Sequence, residues 1–151
     1  MTDRAALIER YRTGADAVEA ALAGINEDEL DRTPPDGGWT ARQVAHHLAD
    51  SEAMAYTRLR RLVADEEPVL AGYDEPRWAE RLHYDRPIGE SLDVMRAVRA
   101  ASLSLLLALT PEEWERIGVH SESGPYSVDR WLEIYAAHPH EHADQIRRAR
   151  G

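Results

Sequence analysis

Apolar residues recur at spacings of three and four through four long stretches of this chain, and segments rich in proline and glycine separate them. That period places each set on one face of a helix. The first stretch, Thr2 to Ala23, carries Leu7, Tyr11, Ala15, Val18 and Leu22. The second runs to Ala64 with Val44, His47, Leu48, Ser51, Met54, Ala55, Leu59 and Leu62 inward. The third, Ile88 to Leu109, carries Leu92, Met95, Val98, Ala101 and Leu105. The fourth, to Ala149, carries Val128, Trp131, Leu132, Tyr135, His138, His142 and Ile146. Four amphipathic helices of this length predict an all-α four-helix bundle. At 151 residues, one domain over 1–151 accounts for the whole sequence.

Local signals fix the ends. Gly24 stops the first helix. Thr40 and Gln43 form a capping box at the start of the second, with Trp39 and Val44 placed as a hydrophobic staple. Ser127 caps the fourth. Asp74 to Leu82 predicts a short helix with Pro76 in its first turn. Thr110, Pro111 and Glu113 start another. Asp65 to Tyr73 and Gly118 to Tyr126 read as loops.

Composition removes several functions. The 28 acidic residues outnumber 18 basic ones, all arginine, for a net charge of −10. That balance argues against nucleic acid and anionic membrane surfaces as partners. Without cysteine there is no thiolate ligand or cysteine nucleophile, and without lysine no Schiff base or P-loop lysine. No apolar run approaches the roughly 18–20 residues of a membrane span. Met1 to Arg12 carries charges throughout, unlike a secretory signal. The cytoplasm is the expected location.

Five of the seven histidines fall in two helical clusters, His46–His47 and His138–His140–His142. Residues four apart lie about 40° apart around a helix, while residues two apart lie roughly 200° apart. His138 and His142 therefore share a face and His140 points to solvent. Imidazoles at i and i+4 can chelate one ion, as in H-E-x-x-H sites. Here the run is H-P-H-E-H, so Glu141 is not placed like a zincin base. His47 keeps the inward register, whereas His46 is turned about 100° toward a flank. His83 and His120 lie in loop-like stretches and carry no signal. His47, His138 and His142 are the candidate ligands of an ion with an open coordination position. A hydrogen-bonded core histidine explains each position too, and the residues alone leave both readings open. Pro139, between two candidates, either re-aims His138 or breaks the helix.

The segment from Gly38-Trp39-Thr40 through His46-His47-Leu48 to Glu52 resembles the second-helix signature of the DinB-like superfamily, in its YfiT-like branch. The loop Gly72-Tyr73-Asp74-Glu75-Pro76-Arg77-Trp78 and the ending Tyr135 to Ile146 resemble that branch as well. The resemblance covers nearly the whole chain. It implies a bundle with a divalent metal, zinc or nickel, on three histidines, here His47, His138 and His142, and often a homodimer. It also implies one of two activities, a metal-dependent hydrolase or an S-transferase using a low-molecular-weight thiol such as bacillithiol or mycothiol.

Other residues are weaker candidates. Asp50 and Gln145, each three positions after a candidate ligand, are placed to hold an imidazole from behind, or else are ordinary helix-surface residues. Arg42 and Arg58 are candidates for the carboxylates of a thiol cosubstrate, or for surface salt bridges. Tyr73 and Trp78 are candidates for a pocket mouth, or for plain loop packing. The leading expectation is a thiol S-transferase acting on electrophiles in detoxification. A hydrolase at the same site and a non-catalytic helical binding protein are the alternatives.

Overall fold

Thr40 starts the longest helix by closing two hydrogen bonds at once. Its hydroxyl accepts from the Gln43 amide at 3.2 Å, and its own amide donates to the Gln43 side chain at 2.9 Å. The computed structural model describes residues 3–151, so the expected helix start at Thr2 lies outside the described residues. In chain order the elements are α1 (Arg4–Arg12), α2 (Gly14–Leu22), α3 (Glu27–Leu30), α4 (Ala41–Ala64), β1 (Val69–Leu70), α5 (Glu75–Arg81), α6 (Gly89–Ala108), α7 (Pro111–Trp114), β2 (Ile117–His120), β3 (Gly124–Ser127) and α8 (Val128–Arg150). The α1–α2 pair, α4, α6 and α8 form the bundle, with α4 packed on both α6 and α8.

α4 and α8 run antiparallel, because Ala55 faces Trp131 while His47, nearer the start of α4, faces His142, nearer the end of α8. The Trp131 indole N–H donates to the Ala55 carbonyl at 2.9 Å, so a fully buried ring leaves no polar atom unpaired. One core cluster gathers around Trp131, Leu59, Leu62 and Leu132, and a second around Val18, Val44, Leu48, Met95 and Ile146. Each fully buried side chain of this kind contributes about 1.5–3 kcal/mol.

Three sequence expectations change. The first helix is two, α1 and α2, broken at Thr13. The inward face of α6 is rotated: Ser91, Met95, Arg99, Ser102 and Leu106 are buried and Ala101 is exposed. Polar residues hold that face because each finds a partner there. Ser91 meets His46, Arg99 meets Glu52, and Ser102 accepts from Arg60. Finally, both expected loops carry strands. β2 pairs with β1 in parallel and with β3 in antiparallel register, Gly118 opposite Tyr126. The β2–β3 turn closes at Gly124, whose φ of +80° suits glycine.

Pro139 lies within α8 without ending it. Its missing N–H leaves the Tyr135 carbonyl free, and Arg99 Nη1 donates to that oxygen at 3.0 Å. Arg99 Nη2 donates to the Tyr11 carbonyl at 2.6 Å, in the last turn of α1. One buried guanidinium thus serves two helix interruptions. Gly14 makes room for it: a Cβ there would overlap the Pro139 ring and lie 2.6 Å from Arg99 Nη2. Gly14→Ala is therefore expected to cost about 1–3 kcal/mol. An unchanged urea midpoint would contradict this packing.

Candidate metal centre

The inward register of α4 delivers His47, and the unbroken turn of α8 that contains Pro139 delivers His138 and His142 together. One nitrogen from each of the three lies within 4.8 Å of the others. Ring centroids are 4.8 Å apart for His47 and His142, and 4.5 Å for His138 and His142. His138 Nδ1 lies 3.1 Å from Glu52 Oε1, and His142 Nδ1 lies 2.7 Å from Gln145 Oε1. Both oxygens are acceptors, so each Nδ1 carries the proton and each Nε2 presents a lone pair. Those two Nε2 atoms sit 3.1 Å apart. Two facing lone pairs repel unless a cation or proton lies between them. Imidazoles sharing one ion at about 2.0–2.1 Å bring their nitrogens to about that separation. His47 adds a buried Nδ1 with no hydrogen-bond partner. The donor set therefore fits a divalent ion.

Electrostatics keep His47 and His142 neutral. Burial, then the nearby His142 and His138, lowers His47 to about 3. Burial, then His138, lowers His142 to about 4. These values lie below the unfolded histidine value of about 6.5, so the unfolded chain takes up protons first as pH falls. Stability of the metal-free protein is thus fully present above about pH 6.5 and declines toward pH 4. The urea midpoint of metal-free protein should fall across that window, and more shallowly in His142→Ala. Equal slopes would count against this assignment.

The other candidates divide. Gln145 reaches its histidine. Asp50 does not, because it accepts from the Tyr84 hydroxyl at 2.6 Å. The residue behind His138 is instead Glu52, which also binds Arg99 Nη1 at 2.9 Å. Arg42 is buried and saturated, with Asp31, Glu27 and the Arg86 carbonyl as partners, so it offers no free fork to a ligand. Arg58 donates to the Tyr135 hydroxyl and the Ala71 carbonyl and lines a cleft. Tyr73 and Trp78 stack with centroids 4.3 Å apart, and the Tyr73 hydroxyl is buried without a partner.

Three further histidines depart from expectation. His46 is buried rather than at a flank, held by Ser91 Oγ at 2.7 Å and the Arg86 carbonyl at 2.8 Å. His120 is buried on β2. His140 does point away from the cluster, but it docks on the Arg10 carbonyl at 2.9 Å instead of facing open solvent. Glu52 and Arg99 went unassigned in the sequence although both keep helical register with core residues, at Leu48 plus four and Met95 plus four.

Among the described residues no helix is long and apolar enough to cross a membrane. The profile of the DinB superfamily matches residues 10–146. A protein of Oceanobacillus iheyensis named "Putative metal-dependent hydrolase OB0782" is 43% identical over 122 residues, covering 81% of this chain and 71% of its own. A Bacillus mycoides protein with the same family name is 31% identical, covering 83% of this chain and 73% of its own. The solved structure of YfiT from Bacillus subtilis, described as having "an unusual four-helix bundle topology", superposes with a TM-score of 0.89 at 27% identity. That match covers 97% of this chain and 86% of the other.

Proposed function

We propose, from the premise that the chain belongs to the DinB superfamily, that it is a metal-dependent enzyme transferring an external thiol to an electrophile. The observation that carries the metal reading is the pair of Nε2 lone pairs 3.1 Å apart, each fixed by a partner on its Nδ1. When bound there, a divalent ion such as zinc or nickel lowers the pKa of a thiol or water beside it. His47, His138 and His142 hold the ion, while Glu52 and Gln145 hold two of those rings in the ligating tautomer.

The protein groups nearby favour a thiol. Glu52 is committed to Arg99 and His138, and Asp50 to Tyr84. A nucleophile that ionises without a protein base makes no demand on these engaged carboxylates. A thiol, with a pKa of about 8.5, ionises without such a base far more readily than water does. The chain has no cysteine, so the sulfur comes from a small cosubstrate. The thiolate forms the new C–S bond, the leaving group departs with its bonding pair, and the thiol proton passes to solvent.

Hydrolysis at the same histidines is the second reading, favoured by the names of the relatives. Turnover of halogenated and epoxide electrophiles with bacillithiol, mycothiol or no thiol separates the two. The transferase reading expects thiol-dependent product and one thiol consumed per product. Thiol-independent hydrolysis of ester or amide substrates would overturn it.

A further inference from the structure

We infer that the cleft between Arg58 and the β2–β3 hairpin binds the carboxylate of a small organic acid with an apolar body. Among the described residues three arginines are buried, Arg42, Arg58 and Arg99. Arg42 has Asp31 and Glu27, and Arg99 has Glu52. Arg58 has no carboxylate partner among the described residues. Its Nη1 and Nη2 donate to neutral oxygens, the Tyr135 hydroxyl at 2.9 Å and the Ala71 carbonyl at 2.8 Å, and its Nε has no acceptor at all. A buried charge without a counter-ion is costly, and an anionic ligand relieves that cost.

The cleft beside Arg58 measures about 700 Å³, within the range of small-molecule sites. In a chain of net charge −10, it is lined by Arg58, by His120 and by Arg130, whose Nη1 also meets Glu133 at 3.4 Å, and the lining itself holds no acidic residue. The Glu122 amide donates to His120 Nδ1 at 3.1 Å, which leaves the ring proton on Nε2 as a second donor. Burial and the Arg58 charge lower the His120 pKa and hold the ring neutral in that form. Ile117, Pro125 and Ile134 supply the apolar wall. A guanidinium, a neutral N–H and an apolar wall suit a carboxylate on a hydrophobic body. The inference does not rest on which nucleophile, if any, the histidine cluster activates.

Phenylacetate and its neutral isostere phenylacetamide are the probes, titrated into the full-length protein with and without metal and followed by amide NMR shifts. Phenylacetate should give saturable shifts centred on residues 117–127 and on Tyr135. Phenylacetamide should bind at least about tenfold more weakly, and Arg58→Gln should cost phenylacetate at least about tenfold. His120→Ala should weaken it several-fold, and decides the matter if Arg58→Gln does not fold. Equal binding of acid and amide, affinity unchanged in the folded variants, shifts centred on His47 and His142, or no saturable shift would each overturn the inference.

Discussion

Arg99→Met is expected to destabilise the protein by about 3–5 kcal/mol, the usual cost of stripping one partner from a buried ion pair. Arg99 and Glu52 meet at 2.9 Å with side-chain exposures of only 4% and 1%. The variant leaves the Glu52 carboxylate buried without its cation, returns the Tyr135 carbonyl to an unpaired state and takes the guanidinium donor from the Tyr11 carbonyl. Methionine keeps most of the length, so lost packing contributes little. The effect should also reach the histidines. Glu52 holds His138 Nδ1, and loss of such an outer partner typically costs about 10–100-fold in metal affinity. Urea unfolding and metal titration read the two effects. The double variant Arg99→Met, Glu52→Met should recover much of the stability, because an apolar pair can replace a buried ionic one, but not the metal affinity. A stability loss below about 1 kcal/mol in the single variant would show that the pair is not needed where it sits.

The helices of this fold are legible because they obey local rules. The Thr40–Gln43 capping box starts α4 at the expected residue, and Asp74 with Pro76 starts α5 in the same way. The same local rules hide the break between α1 and α2. Nothing in Arg12-Thr13-Gly14 breaks the helical period, and the interruption is set by Arg99 and Pro139 packing against Gly14 from distant parts of the chain. The small sheet escapes notice for a related reason. A two-residue strand such as Val69–Leu70 shows no measurable alternation and exists only through its pairing with Val119 and His120. At the centre, the i, i+4 spacing and the inward register mark out His47, His138 and His142, and the structure gathers them. Glu52 and Arg99 were in register too, yet apolar periodicity discounts charged residues. Here each side chain is buried only because the other neutralises it.

His142→Ala should have the largest effect on the candidate centre itself. It removes one of the two lone pairs that face each other and leaves Gln145 without the ring it orients. The remaining His47 and His138 lie on different helices, with ring centroids 5.6 Å apart, and lose the chelate that a single helix turn provides. The loss in metal affinity should therefore exceed the about 10–100-fold cost of an outer partner. Fold stability should change far less, since His142 is only half-buried. The direct measurement is elemental analysis of untagged protein, wild type and His142→Ala, each reconstituted with zinc or nickel and dialysed. About one ion per wild-type chain, with almost none in a folded variant, is the result expected from a three-histidine centre. A wild type that retains no ion, or a variant that retains as much as the wild type, would contradict it.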